Sequence, residues 1–146
     1  MHDFDKAVEG ALLIRKVYAY VTKGDHLLVF TQNSLHAGIQ VPKGTVESGE
    51  EVIDAAVREC IEETGIQSLP PPVFLAQDKW QRADGQTEER FFYHFSCPNL
   101  PDRWSHSPSG GGAETGLVFH FQWIGFDRAP LVTGHGDFVC LLQRLV

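Results

Sequence analysis

The chain has 146 residues, 42% apolar and 21% charged, which predicts one globular domain over 1–146 and excludes a disordered chain. Twelve Lys and Arg against nineteen Asp and Glu leave a net charge of −7, which argues against a non-specific DNA or RNA binder. A small anionic substrate stays open, because a bound divalent ion reverses the local field.

The acidic start Met1-His2-Asp3-Phe4-Asp5 and the short apolar run Ala11-Leu12-Leu13-Ile14 do not make a signal peptide. Ala11 to Val21, rich in β-branched and aromatic residues, reads as a strand. Thr22-Lys23-Gly24-Asp25 signals a turn, with His26 to Thr31 returning. Gly38 to Val41 is a short extended piece, since Pro42 biases Val41 away from helix. From Glu50 to Thr64 the period changes: Val52, Ile53, Ala56, Val57, Cys60 and Ile61 recur at helical spacing. Ser48 and Glu51 suit a capping box, and Gly65 suits the left-handed residue that ends a helix. Pro70-Pro71-Pro72 forces an extended connection. Val73 to Arg82 and Glu88 to Cys97 read as strands joined at Asp84-Gly85. Pro98 to Glu114 reads as a long loop of the kind that is functional or mobile. Leu117 to Ile124 is a further strand and Phe138 to Val146 a terminal helix. This order predicts an α/β (α+β) fold, a mixed sheet flanked by helices. No run approaches the roughly 20 apolar residues that span a bilayer. Cys60, Cys97 and Cys140, odd in number and widely spaced, suggest reduced thiols and a cytoplasmic setting.

The chemistry concentrates between Gly44 and Ile66. Glu59, Glu62 and Glu63 stand at i, i+3 and i+4, so one helix projects three carboxylates beside its apolar face. Such a triplet is ordinarily a solvated helix face. At the edge of a core, however, the three repel one another and raise each other's pKa unless a cation joins them. Hard oxygen ligands suit Mg²⁺ or Mn²⁺. Glu50, two turns before Arg58, is placed to pair with it.

The segment resembles the Nudix box, Gly-x5-Glu-x7-Arg-Glu-U-x-Glu-Glu-x-Gly-U, where U is a bulky apolar residue. Gly44, Glu50, Arg58, Glu59, Glu62, Glu63 and Gly65 fill all seven fixed positions. Ile66 fills the second U and Cys60, a small hydrophobe, the first. At ordinary residue frequencies the chance of seven matches is about 1 in 10⁸ per window.

The resemblance implies an α/β/α sandwich and hydrolysis of a diphosphate bond in a nucleoside diphosphate linked to another group. It implies that Glu59, Glu62 and Glu63 bind Mg²⁺ or Mn²⁺ together with the Lys43 carbonyl, which the turn at Gly44 aims. It gives Arg58 the task of orienting the glutamates and makes one of those glutamates a candidate general base. Many members add a ligand or base from outside the box. Glu114 and His120 are the candidates here, with Glu114 ahead because Mg²⁺ prefers oxygen. The catalytic set is then Arg58, Glu59, Glu62 and Glu114, while Gly44, Glu50 and Gly65 are structural.

Val41-Pro42-Lys43-Gly44 resembles members that cleave diadenosine polyphosphates or diphosphoinositol polyphosphates, and Lys43 can offer its ammonium to a phosphate. The Trp that often precedes Pro-Lys-Gly is replaced by Ile39-Gln40-Val41. Arg103 and Trp104 on the long loop are candidate substrate contacts, by gripping phosphate and stacking on a base. Trp80, Arg82 and Arg90 on the hairpin can also line a cleft, although their faces are not legible. The expected partner is a small nucleotide-type diphosphate, with no nucleic acid and no membrane; homodimerisation is left open. The alternative to an enzyme is a non-catalytic domain that senses a nucleotide.

Overall fold

Alternation along Leu13–Lys23 sends Val17, Ala19 and Val21 to one face and Tyr18 and Tyr20 to the other, so this strand, β1, is buried on both sides. In the computed structural model, which describes residues 13–33, 37–108, 116–127 and 131–144, β1 is the axis of a mixed sheet. The remaining strands are β2 (His26–Gln32), β3 (Lys43–Thr45), β4 (Val73–Gln81), β5 (Thr87–Ser96), β6 (Trp104–His106) and β7 (Phe119–Gly125). Helix α1 is Val52–Thr64 and α2 is Val139–Leu142. The strand order is β4-β5-β1-β2-β7-β6.

β1 and β5 run parallel from Leu13↔Thr87 to Thr22↔Ser96, whereas β1 and β2 pair only beside their turn, at Thr22↔Leu27 and Lys23↔His26. Beyond that turn the two strands splay, and residues 39–45 wedge between them. Gln40 bridges Phe30 of β2, and β3 pairs antiparallel with Lys16–Tyr18 of β1. The wedge carries Pro42-Lys43-Gly44 into the middle of the sheet.

Each face of the sheet has a core. On one, Ala55, Ala56 and Cys60 of α1 pack on Val17, Ala19, Leu28, Phe30, Phe95, Phe119 and Phe121. On the other, Val139 and Leu142 cover Tyr18, Tyr20, Leu27, Val29 and Phe92. The result is the predicted α/β/α layering.

Several boundaries differ from expectation. α1 starts at Val52, and Glu51 at its N-cap makes no side-chain cap bond, so the Ser48–Glu51 capping box is absent. A turn replaces it: the Glu50 amide donates to the Glu47 carbonyl and the Glu47 amide to the Glu50 carboxylate, both at 3.0 Å, with Gly49 at φ 78°. The buried stripe of α1 is narrower than predicted and, apart from Glu63, made of small residues, which let the helix approach the sheet. Ile53 and Ile61 lie outside it, 44% and 39% exposed. Gly65 does end the helix at φ 77°, its amide donating to the Ile61 carbonyl. The stretch read as one long loop contains β6, which pairs with β7 from Trp104↔Phe121 to His106↔Phe119. The terminal helix is a four-residue turn because the Phe138 amide is engaged by the Tyr20 hydroxyl and the next bonds span three residues. Leu145 and Val146 lie outside the described residues.

Candidate active site

Gly44 faces α1 at the point where Glu59 leaves the helix. A Cβ on Gly44 would lie 1.9 Å from Glu59 Cδ and 2.1 Å from Oε2. Glycine is needed here for space, so that a carboxylate can sit against backbone. One residue earlier, the Lys43 amide donates to Glu63 Oε1 at 3.1 Å. The wedge and the helix therefore meet through two of the three glutamates.

Arg58 is the hub of the acidic cluster. Its Nε and Nη2 make a fork onto Glu50 at 2.8 and 2.9 Å, and Nη2 also donates to the Thr45 carbonyl at 3.0 Å. Its Nη1 reaches Glu59 at 2.7 Å and Glu62 at 3.4 Å. Planar bidentate geometry suits this guanidinium, and a lysine could not reproduce it. The Arg58 hydrogen bonds, together with the Glu47 amide, hold the Glu50 carboxyl down at about 2. Glu50 in turn raises the Arg58 pKa further above its ordinary value. The cluster is thus compensated by a fixed cation of the protein itself, which eases the like-charge repulsion read from the i, i+3, i+4 spacing.

The Lys43 side chain points to the other face of the sheet. Its ammonium lies 5.0 Å from the centre of the Tyr18 ring and 3.4 Å from Glu88 Oε2. Burial lowers the Lys43 pKa, and the Glu88 charge opposes that shift. Glu88 is wholly buried and also accepts from the Tyr18 hydroxyl at 3.1 Å and from Arg82 Nη1 at 3.3 Å. Arg90, 1% exposed, forks onto Asp78 at 2.8 and 2.7 Å, reaches Asp137 at 2.9 Å and lies under the Trp80 ring at 4.8 Å. Buried His135 accepts the Val41 amide on Nδ1 at 3.1 Å, so Nε2 carries the proton of the neutral ring. Desolvation pulls its pKa down to about 4.

Glu88 and His135 were missed in the sequence, and Arg82 and Arg90 were left unassigned. The available signal was the two-residue period of Glu88, Arg90 and Phe92. It shows its inward side only once Phe92 is known to lie beside Tyr18 in the parallel pair.

The residues of the long loop are placed differently. The Trp104 indole donates to the Thr64 carbonyl at 2.8 Å and stacks on Phe121 with centroids 5.1 Å apart. His106 Nε2 donates to the Glu62 carbonyl at 3.1 Å, and its ring fills the space beside Gly65. These two side chains cap the last turn of α1, which has no basic residue of its own. Arg103 is exposed at the rim of a shallow pocket of about 300 Å³ that Thr31, Ser105 and His120 also line. His120 is exposed, with Nδ1 2.8 Å from Ser105 Oγ. Glu114 lies outside the described residues.

Three carboxylates on one helix, two of them against the Lys43-Gly44 backbone, are a donor set suited to a hard divalent cation. Among the described residues no trio of His, Cys, Asp or Glu side chains converges at metal-holding distance. Glu59 and Glu62 each present one oxygen to Arg58 Nη1, and the other oxygen of Glu59 lies on the Gly44 side.

The model of the NUDIX domain family matches residues 12–142. Over 88 residues the chain is 32% identical to an RNA pyrophosphohydrolase of Brucella anthropi, a match that covers 51% of each protein. It is also 32% identical over 108 residues to an RNA pyrophosphohydrolase of Bartonella clarridgeiae, covering 64% of this chain and 60% of that one. The chain thus spans between half and three fifths of the length of these curated relatives. A crystal structure of a MutT NUDIX hydrolase from Burkholderia pseudomallei superposes with a TM-score of 0.63 at 20% identity, over 90% of this chain and 97% of that one. Among the described residues no helix is long and apolar enough to cross a membrane.

Proposed function

This chain belongs to the NUDIX family, and from that premise we propose that it hydrolyses a diphosphate bond in a nucleoside diphosphate linked to another group, with Mg²⁺ or Mn²⁺ as cofactor. The observation that carries this reading is the meeting of Glu59 and Glu63 with the Gly44 and Lys43 backbone, braced by Arg58.

Glu59, Glu62, Glu63 and the Lys43 carbonyl are the groups that would hold the ion. When bound it neutralises phosphate oxygens and acidifies an attacking water. The rest falls to the protein's own groups. Arg58 fixes the carboxylates through its contacts with Glu50, Glu59 and Glu62, and so acts as a positioning residue. A cluster carboxylate, Glu59 or Glu62, takes the proton of the water as its oxygen bonds to phosphorus and the bridging P–O bond breaks. Lys43 offers its ammonium to a phosphate oxygen. Arg103, exposed at the pocket rim, is available to a phosphate, and Glu114 remains the candidate acid from outside the box. Trp104 makes its contacts within the fold, which favours Arg103 over the indole as the substrate contact.

The name shared by the curated relatives, RNA pyrophosphohydrolase, favours a second substrate, an RNA. It differs from non-specific RNA binding, which the charge of −7 disfavours. We place the protein in the cytoplasm, acting on soluble substrates.

The test is phosphate or diphosphate release from a panel of nucleotides, sugar nucleotides, dinucleoside polyphosphates and a 5′-triphosphorylated RNA oligonucleotide, with and without Mg²⁺. Product analysis in ¹⁸O-labelled water identifies the phosphorus attacked. Turnover that needs Mg²⁺ and falls more than about 100-fold in Glu62→Gln supports the reading. Binding without turnover across the panel would make the domain a nucleotide sensor.

A further inference from the structure

On the face of the sheet away from α1, Glu88 is a carboxylate with no exposed surface and no part in the acidic cluster. It sits in β5 opposite Ile14 of β1, two residues before the stretch of β1, Lys16–Tyr18, that pairs with β3 on its other side. Tyr18 holds one of its oxygens through the hydroxyl. The other faces two cations, Lys43 and Arg82. Arg82 has a second partner in Asp84, whereas Glu88 is the acidic residue in contact with the Lys43 ammonium. The Lys43 side chain is 25% exposed, so the ammonium stands at the boundary between this buried carboxylate and solvent.

A buried carboxylate is costly unless it is well partnered. Hydrophobic residues would fill the same space in the sheet without that cost. What Glu88 adds is a fixed negative point beneath a four-carbon side chain that otherwise samples many rotamers. With the Tyr18 ring on another side, the ammonium has a defined position, carried by a residue whose backbone adjoins the glycine that cradles Glu59.

We propose that Glu88 is a positioning residue for substrate binding: it holds Lys43 so that the ammonium meets the phosphate chain of the substrate beyond the reacting phosphorus. This inference rests on the reading that Lys43 contacts substrate phosphate. Because Glu88 acts through Lys43, the two residues should be energetically coupled.

The experiment is a double-mutant cycle of Lys43→Ala and Glu88→Gln. One readout is the affinity for inorganic tripolyphosphate by calorimetry in Mg²⁺, and the other is KM and kcat on the best substrate of the panel. Each single variant should weaken tripolyphosphate binding by about 10-fold, the scale of a charged hydrogen bond. The double variant should be no weaker than about the worse single one, and the Glu88→Gln loss should fall mainly on KM. Glu88→Asp keeps the charge but draws it back from Lys43, so it reports the same coupling should Glu88→Gln fail to fold. Losses that multiply in the double variant, or Glu88 variants with wild-type affinity, would overturn the assignment. So would a wild-type protein that does not bind tripolyphosphate. Coupled binding losses without turnover of any nucleotide would retain Glu88 and remove the enzymatic reading. Turnover with uncoupled losses would remove the Glu88 assignment alone.

Discussion

Gly44 and Glu59 share one space: the carboxylate of Glu59 occupies the position that a side chain on residue 44 would need. Gly44 is not among the residues with positive φ, so alanine is compatible with its backbone. The atoms that an added methyl meets belong to the outer part of a flexible side chain. Gly44→Ala should therefore expel Glu59 while leaving the fold nearly intact. We expect kcat to fall by at least about 10-fold with a melting shift of only a few degrees. Wild-type turnover in this variant would show that Glu59 is not needed where the structure puts it.

Arg58→Ala removes the partner of Glu50, Glu59 and Glu62 together. These groups are partly exposed, so the cost is less than for a fully buried pair, about 1–3 kcal/mol. Arg58→Lys should recover charge but not the fork onto Glu50, and so only part of the stability. Chemical denaturation of the three proteins checks this order. Equal midpoints would remove Arg58 as the brace of the cluster.

His135 gives the fold a pH dependence of known sign. Its folded pKa is depressed to about 4 from the ordinary 6.5, so the unfolded chain binds the proton first. The stability contribution is complete above about pH 6.5 and is lost as pH falls toward 4, by up to about 3 kcal/mol. Thermal melts across this window should show a decline that is shallower in His135→Gln. Parallel curves for the two proteins would count against a neutral buried imidazole.

Trp104→Phe keeps the stacking on Phe121 but deletes the donor to the Thr64 carbonyl. A loss of about 1 kcal/mol in stability is expected, with KM changed less than two-fold. A large rise in KM with unchanged stability would return the indole to the substrate site.

The acidic triplet and the Gly65 stop were legible in the sequence because each depends on spacing along one helix, and the Arg58–Glu50 brace because it joins that helix to the loop just before it. An i, i+3, i+4 pattern fixes neighbours wherever the helix is placed. The two-residue period likewise announced the strands, although not which side of β5 was inward. That choice depended on the parallel pairing of β5 with β1, a contact between segments more than seventy residues apart. It buries Glu88 and Arg90 and brings Lys43 against Glu88. The same holds for Trp104 and His106, which the composition places on a long loop. Only the pairing of β6 with β7 seats them on the last turn of α1. Local periodicity carries the information for contacts within an element. Which charged or aromatic side chain becomes a core group is decided by the strand or helix that covers it, and that partner is selected by the burial of the whole sheet.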